Sequence, residues 1–437
     1  MFASIGIFVG ILFLVCLAMR GMNIIVIAPL AALIIILTNG MDLQASFFSG
    51  QTAYLSGMAG FVKNFLPIFI LGAVLGKYLE DSKATVTIAN SIFKLTGRDN
   101  AYTVFVAIAI IAAVLTYGGV SMFIVIFTVV ALARPIMKEL DLPWHLVMIP
   151  LILGGTSFTM TMLPGTPSIQ NIIPTQLGTP LTAAPLLSII ATVVSITYGM
   201  FYMKWYLNKT LTAGEHYEEK EAASAAPAAT VTELPSLFLS VLPMVVLIVT
   251  IFIGSSQKIQ GIILPALAAA IIVAAVGLHK YIPSQMKTLN AGAVNSLLPL
   301  LFTAAAVGVG TVVASAPGFH VIESWLQFIP GGPLVQIVVY TGFLSMVTAS
   351  ASGALGIVIP LFGHTWIAAG IDPEIVHRIA AITSGIFSAM PHSGFIFSCM
   401  AVFGLSHRQV YKQVFGIGLV GGLVSLAVSL FVAYFLY

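Results

Sequence analysis

Apolar residues run along this chain in stretches long enough to cross a bilayer, and short polar interruptions divide them. Phe2 to Met19 and Asn23 to Leu37 are joined by a turn at Arg20-Gly21-Met22, and Gly57 to Leu79 follows with a charged end at Lys77, Glu80, Asp81 and Lys83. A hydrocarbon core of about 30 Å takes roughly 20 helical residues, so these read as spans. Thr85 to Leu95 is shorter and is expected along the membrane interface. Ala101 to Ala133 is apolar but broken by Tyr117-Gly118-Gly119-Val120-Ser121, which predicts a helical hairpin that enters and returns on one side. From His145 to Leu177 the pattern breaks again at Pro164-Gly165-Thr166-Pro167, where an unbroken helix is excluded by the missing donors and ring clashes of the prolines. Ala183 to Tyr206 is a last span.

Residues 208–235 form the one long polar tract, acidic and then Ala/Ser/Pro/Thr-rich, with the composition of a linker. Beyond it the order repeats: spans at Ser236 to Ile253, Gly261 to Leu278 and Asn295 to Ala314, an interfacial piece near His320 to Phe328, a hairpin at 334–369, a broken helix at 375–403 and a span from Val414 to Phe435. Asn64-Phe65-Leu66-Pro67 matches Ser296-Leu297-Leu298-Pro299 at an offset of 232, and Pro164-Gly165 matches Pro391-His392 at 227. The expected fold is therefore an all-α polytopic membrane protein made of two repeats, residues 1–207 (hairpin 101–133, broken helix 145–177) and 236–437. Five crossings per repeat is an odd number, so the second copy would be inverted.

Composition agrees: 59% of the 437 residues are hydrophobic and 7% are charged, far from the roughly 25% charged of a globular domain. Threading the chain from an external N-terminus puts fourteen lysines and arginines on one side and leaves Lys63, Lys258 and Arg378 on the other. By the positive-inside rule the linker is cytoplasmic and both termini are external, as in a multi-pass protein of the cytoplasmic (inner) membrane. The N-terminal run lacks a basic region and a cleavage site and reads as a span rather than a signal peptide. Cys16 and Cys399 lie in apolar stretches, so no disulfide or metal framework is expected, and no basic run suggests nucleic acid.

Open backbone survives inside a membrane only where protein or a wet cavity satisfies it, so the two tips and two breaks are the candidate site. Its residues are Gly118, Gly119 and Ser121; Gly165, Thr166, Ser168 and Asn171; Ser350, Ser352 and Gly353; and Ser393 and Gly394. Half-helix N-termini carry partial positive charge that suits a carboxylate, and the hydroxyls and amide suit the hydroxyls of a small organic acid. The glycines also serve close helix packing, and Asn171 is equally a helix cap. His392, ionisable within a break, is the candidate carrier of a coupled proton, with a structural hydrogen-bonding role as the other reading. Hydroxyls and carbonyls at the tips would alternatively hold sodium. A hydrolase built on Ser393 and His392 lacks an acidic partner and is set aside, so no enzyme and no cofactor is expected. Inverted broken helices favour a carrier over a channel.

With these residues laid out, the chain resembles the gluconate–proton symporter family (GntP permeases) of the ion transporter superfamily. The resemblance spans nearly the whole sequence and rests on Leu75-Gly76-Lys77-Tyr78-Leu79-Glu80-Asp81-Ser82, the glycine tip with Ser121, Pro164 to Pro174 with Pro185, and Ser388-Ala389-Met390-Pro391-His392-Ser393-Gly394. The first break is also similar to the Gly-Thr-Pro signature of the divalent-anion/sodium symporters. The resemblance implies proton-coupled uptake of a small hydroxycarboxylate by elevator-type alternating access. At the first break this chain has Met162-Leu163-Pro164-Gly165-Thr166-Pro167 where gluconate permeases carry a His-Pro-Gly type sequence, and it looks closer to a branch carrying 3-hydroxybutyrate or related short acids. The first spans of each half would form the scaffold, with homodimerisation left open.

Overall fold

The computed structural model describes residues 2–20, 22–97, 100–118, 120, 122–165, 172–218, 233–257, 259, 261–319, 321, 324, 330–391 and 393–436. Among the described residues every regular element is helical. Seven helical runs among these residues are long and apolar enough to cross a membrane: Gln44–Asp81, Trp144–Thr161, Pro185–Thr212, Leu237–Gly254, Gln285–Ser315, Ala351–Ala368 and His407–Leu436. Shorter apolar helices include Ile24–Thr38, Ala101–Tyr117, Ile263–Gly277 and Gly332–Thr348. Their outer faces present bare hydrocarbon; Phe201, for example, is 73% exposed. That surface suits lipid and not water. The chain is a multi-pass membrane protein.

Capping and proline placement explain the local starts and bends. Asn23, Asn100, Ser284 and Asp372 each accept a backbone N–H at the first turn of the helix they precede. Pro67 and Pro243 sit within long helices, where neighbouring helices tolerate the lost donor. Tyr54–Asp81 packs along Gln285–Asn295 and Leu297–Ser315. A β-carbon on Gly57 would collide with the Thr311 side chain, and one on Gly292 would lie 2.6 Å from the Val74 Cα, so small residues set these close approaches. Pro185–Thr212 packs on Gly421–Leu436. Phe2–Met19 pairs with Ile24–Thr38 and forms, with Ala305, Val309 and Val312, a smaller core beside the main one.

The helices are interrupted near the positions where the sequence pattern is, with shifted edges. The first hairpin is Ala101–Tyr117 and Met122–Glu139, six residues longer than expected. The second is Gly332–Thr348 followed by Ala351–Val358, a π turn at Ile359–Gly363, and His364–Ala368. The first broken helix passes through Met148–Ile152, a π turn at Leu153–Ser157 and Phe158–Thr161, opens at 162–165, and resumes as Ile172–Leu177. The second is Pro373–Phe387 and then Gly394–Phe403. The last span of the first half runs on to Thr212, so the linker begins later than residue 208. The expected interfacial helix is Ala84–Thr96, with Ile88 and Phe93 buried in the main core. Its expected counterpart near 320–328 falls largely outside the described residues.

The packing of these irregular pieces is reciprocal. Each hairpin's first arm lies against the first arm of the break that follows it: Ala101–Tyr117 on Leu153–Ser157, and Gly332–Thr348 on Pro373–Phe387. Each hairpin's second arm lies against the far arm of the other half's break: Met122–Glu139 on Gly394–Phe403, and Ala351–Val358 on Ile172–Leu177. The first break approaches the second closely, because a β-carbon on Gly385 would meet the Thr161 methyl at 2.5 Å.

Candidate functional site

At the first tip, Gly118 ends its helix against Met244, whose side chain fills the space a β-carbon would need. Close packing is therefore one requirement on Gly118. The preceding residue ties the tip to the first break: the Tyr117 hydroxyl donates to the Pro164 carbonyl at 2.6 Å. Gly165 has φ +136°, a conformation that side chains resist, and its N–H donates to the Leu181 carbonyl at 3.2 Å. The first tip and the first break thus meet. Thr116, one residue earlier, donates to the Ala112 carbonyl and approaches Thr159 at 3.3 Å. Gly119, Ser121, Thr166, Ser168, Asn171 and His392 lie outside the described residues.

At the second tip, Ala349 takes a left-handed φ of +45° and Ser350 starts the returning helix. The Ser350 hydroxyl accepts the Gly353 N–H at 3.1 Å and lies 3.3 Å from Ser352. Ser350 therefore caps its own helix, and Gly353 is engaged by that cap. At the second break Ser393 is extended at the N-cap of Gly394–Phe403, is 7% exposed, and makes no side-chain cap bond. The Pro391 carbonyl accepts from His407 Nε2 at 2.9 Å.

The residue that sequence reasoning missed is Arg378. Threading places it among the few external loop charges, whereas it is wholly buried in Pro373–Phe387. Its Nη1 donates to the Thr161 carbonyl at 3.2 Å, and its Nε and Nη2 donate to the Ala183 carbonyl at 3.3 and 3.0 Å. One turn earlier, Glu374 accepts the Ala184 N–H on Oε2 at 2.7 Å. The two side chains therefore hold opposite faces of a single peptide unit, Ala183–Ala184. Ala184 is in the left-handed region at φ +44°. Beside them His377, also fully buried, joins Thr179 through Nδ1 at 2.8 Å while its Nε2 has no partner among the described residues. Tyr117 lies within electrostatic reach of Arg378. The i, i+4 spacing of Glu374 and Arg378 on an apolar stretch was the available signal.

The other singled-out charges are ordinary. Lys77 pairs with Glu80 at 3.3 Å and Asp81 at 2.8 Å, and Asp81 also accepts from Thr288 at 2.6 Å. His145 faces Glu215 at 3.6 Å.

Interrupted helices folded against one another inside a multi-pass bundle, with a buried cation beside open backbone, define a membrane transporter. The chain belongs to the GntP permease family, whose model it matches over residues 2–435. It is 32% identical over 443 residues to the uncharacterized transporter YxjC of Bacillus subtilis (strain 168), covering 92% of this chain and 93% of that one. Its fold is similar to that of the YdaH transporter of Alcanivorax borkumensis, with a TM-score of 0.56, 13% identity and 90% of each chain covered. A weaker likeness is to MtrF of Neisseria gonorrhoeae, with a TM-score of 0.44, 12% identity, and 88% of this chain and 84% of that one covered.

Proposed function

We propose that this permease is a secondary carrier for a small hydroxycarboxylate such as 3-hydroxybutyrate or gluconate, taken up with protons across the cytoplasmic membrane. The observation that carries this reading is Arg378: a buried guanidinium beside the open backbone of the first break, with little other buried charge among the described residues. Ionisable groups inside membrane proteins serve substrate or ion pathways by default. A single cation favours a monocarboxylate, because each further negative charge needs another partner. The reciprocal packing of hairpins on breaks supports two inverted repeats, and their enclosure of Thr161 and Gly385 supports one transport unit that moves as an elevator. In this reading the termini are external, the linker is cytoplasmic, Gly165, Ser352, Ser393 and Gly394 line the substrate, and Gly118, Ser350 and Gly353 shape the tips around it.

Reconstituted protein is expected to accumulate radiolabelled 3-hydroxybutyrate or gluconate under an inward proton gradient and to stop when a protonophore collapses it. Accumulation that persists without the proton gradient but follows sodium replaces proton coupling with sodium coupling. Equilibration with no gradient dependence removes symport altogether.

A further inference from the structure

We propose that Glu374 and Arg378 are the coupling pair of this carrier: a proton on Glu374 frees Arg378 to bind the substrate carboxylate. The inference rests on the carrier reading above and adds to it the two side chains that join proton to anion.

In the structure both side chains hold one peptide. Arg378 donates to the Thr161 and Ala183 carbonyls, and Glu374 accepts the N–H of the same Ala183–Ala184 peptide. Neutral carbonyls are weaker partners for a guanidinium than a carboxylate is. They occupy the place that a substrate anion would fill better. The clamped peptide is also strained, since Ala184 adopts a left-handed φ of +44°. Such conformations persist where the surroundings enforce them and are relieved when a contact is released.

While Glu374 is ionised, an arriving carboxylate would bring a second negative charge beside the buried Arg378 guanidinium, an unfavourable balance in a low dielectric. Protonation changes that count. One proton from the medium forms an O–H bond on a Glu374 oxygen, the hydrogen bond from Ala184 N–H weakens, and Arg378 exchanges carbonyl acceptors for the carboxylate. The site's total charge is the same before and after, which ties one proton to one monocarboxylate. No other bond is made or broken.

The other titratable groups around this helix leave Glu374 as the proton's carrier. Asp372 and His377 share its helix, Tyr117 lies near Arg378, and Tyr340, His364 and Tyr434 stand on elements packed against it. Asp372 is engaged in capping the Glu374 N–H at 2.7 Å. His377 adjoins Arg378, and a second cation there is electrostatically unfavourable. His364 lies on the neighbouring helix His364–Ala368, ten residues before Glu374.

The test uses full-length protein in proteoliposomes with radiolabelled 3-hydroxybutyrate and gluconate as probes. Glu374→Gln is expected to lose accumulation driven by a pH gradient by on the order of tenfold or more, to retain exchange of internal for external substrate, and to show exchange that no longer varies with pH. Arg378→Gln is expected to raise KM by a similar factor, with partial recovery in Arg378→Lys. If Arg378→Gln does not purify as a monodisperse protein, Arg378→Lys decides: raised KM at little-changed kcat supports the pair, and unchanged KM overturns it. Gradient-driven, pH-sensitive accumulation by Glu374→Gln equal to that of the parent overturns the pair alone. A parent protein that accumulates neither probe under any gradient overturns the carrier reading, and the pair with it.

Discussion

Gly165 is the residue whose backbone most constrains the first break. Its φ of +136° is open to glycine, and a β-carbon there would stand 2.7 Å from the Tyr117 hydroxyl. Gly165→Ala is expected to destabilise the protein by about 1 to 3 kcal/mol, read as a lower thermal midpoint in detergent, and to depress uptake more than Tyr117→Phe does. A second local prediction concerns Asp141, in the loop between the first hairpin and the first break. The Tyr217 N–H at 3.0 Å and then His216 Nδ1 at 2.6 Å hold its carboxyl below the ordinary carboxylate range. A depressed acid stabilises the folded contact above its unfolded pKa and loses that contribution as pH falls through the lower folded value. Residues 215–217 are thus expected to stay tethered to this loop at neutral pH and to be released in acid once the Asp141 carboxyl is protonated, or at any pH in Asp141→Ala. Hydrogen exchange at Tyr217 measured across pH checks this, and protection independent of both pH and the substitution contradicts it.

The helices themselves are read from apolar run length, and their interruptions from glycine and proline. Pro164-Gly165 and the tip after Tyr117 are legible because each removes or frees backbone in a way no neighbour can conceal. The π turns at Leu153–Ser157 and Ile359–Gly363 are not legible, because they follow from packing in the folded protein and not from a residue type. Arg378 is hidden for a related reason. Its partners Ala183 and Thr161 stand 195 and 217 positions away, so a lone arginine near a helix start reads as a charge at the membrane edge. Ser350 shows the converse. Its hydroxyl was visible as a candidate, yet part of its bonding is spent on the Gly353 N–H, three residues on.

At the scale of the whole molecule the proposed inverted arrangement makes a directional prediction. With Cys16→Ser and Cys399→Ser as background, a cysteine at Ala225 in the linker is expected to react with a membrane-impermeant maleimide only from the cytoplasmic face, and one added after Tyr437 only from outside. Labelling of both from the same face rules out two copies of opposite orientation. The two free cysteines of the parent make that background a two-residue change.

The touch of Thr161 on Gly385 and the grip of Arg378 on Ala183 have a mechanical corollary. In the elevator reading proposed above, the two interrupted helices would travel as a single piston while those contacts hold, and the compliant joints of the machine would be sought at its periphery.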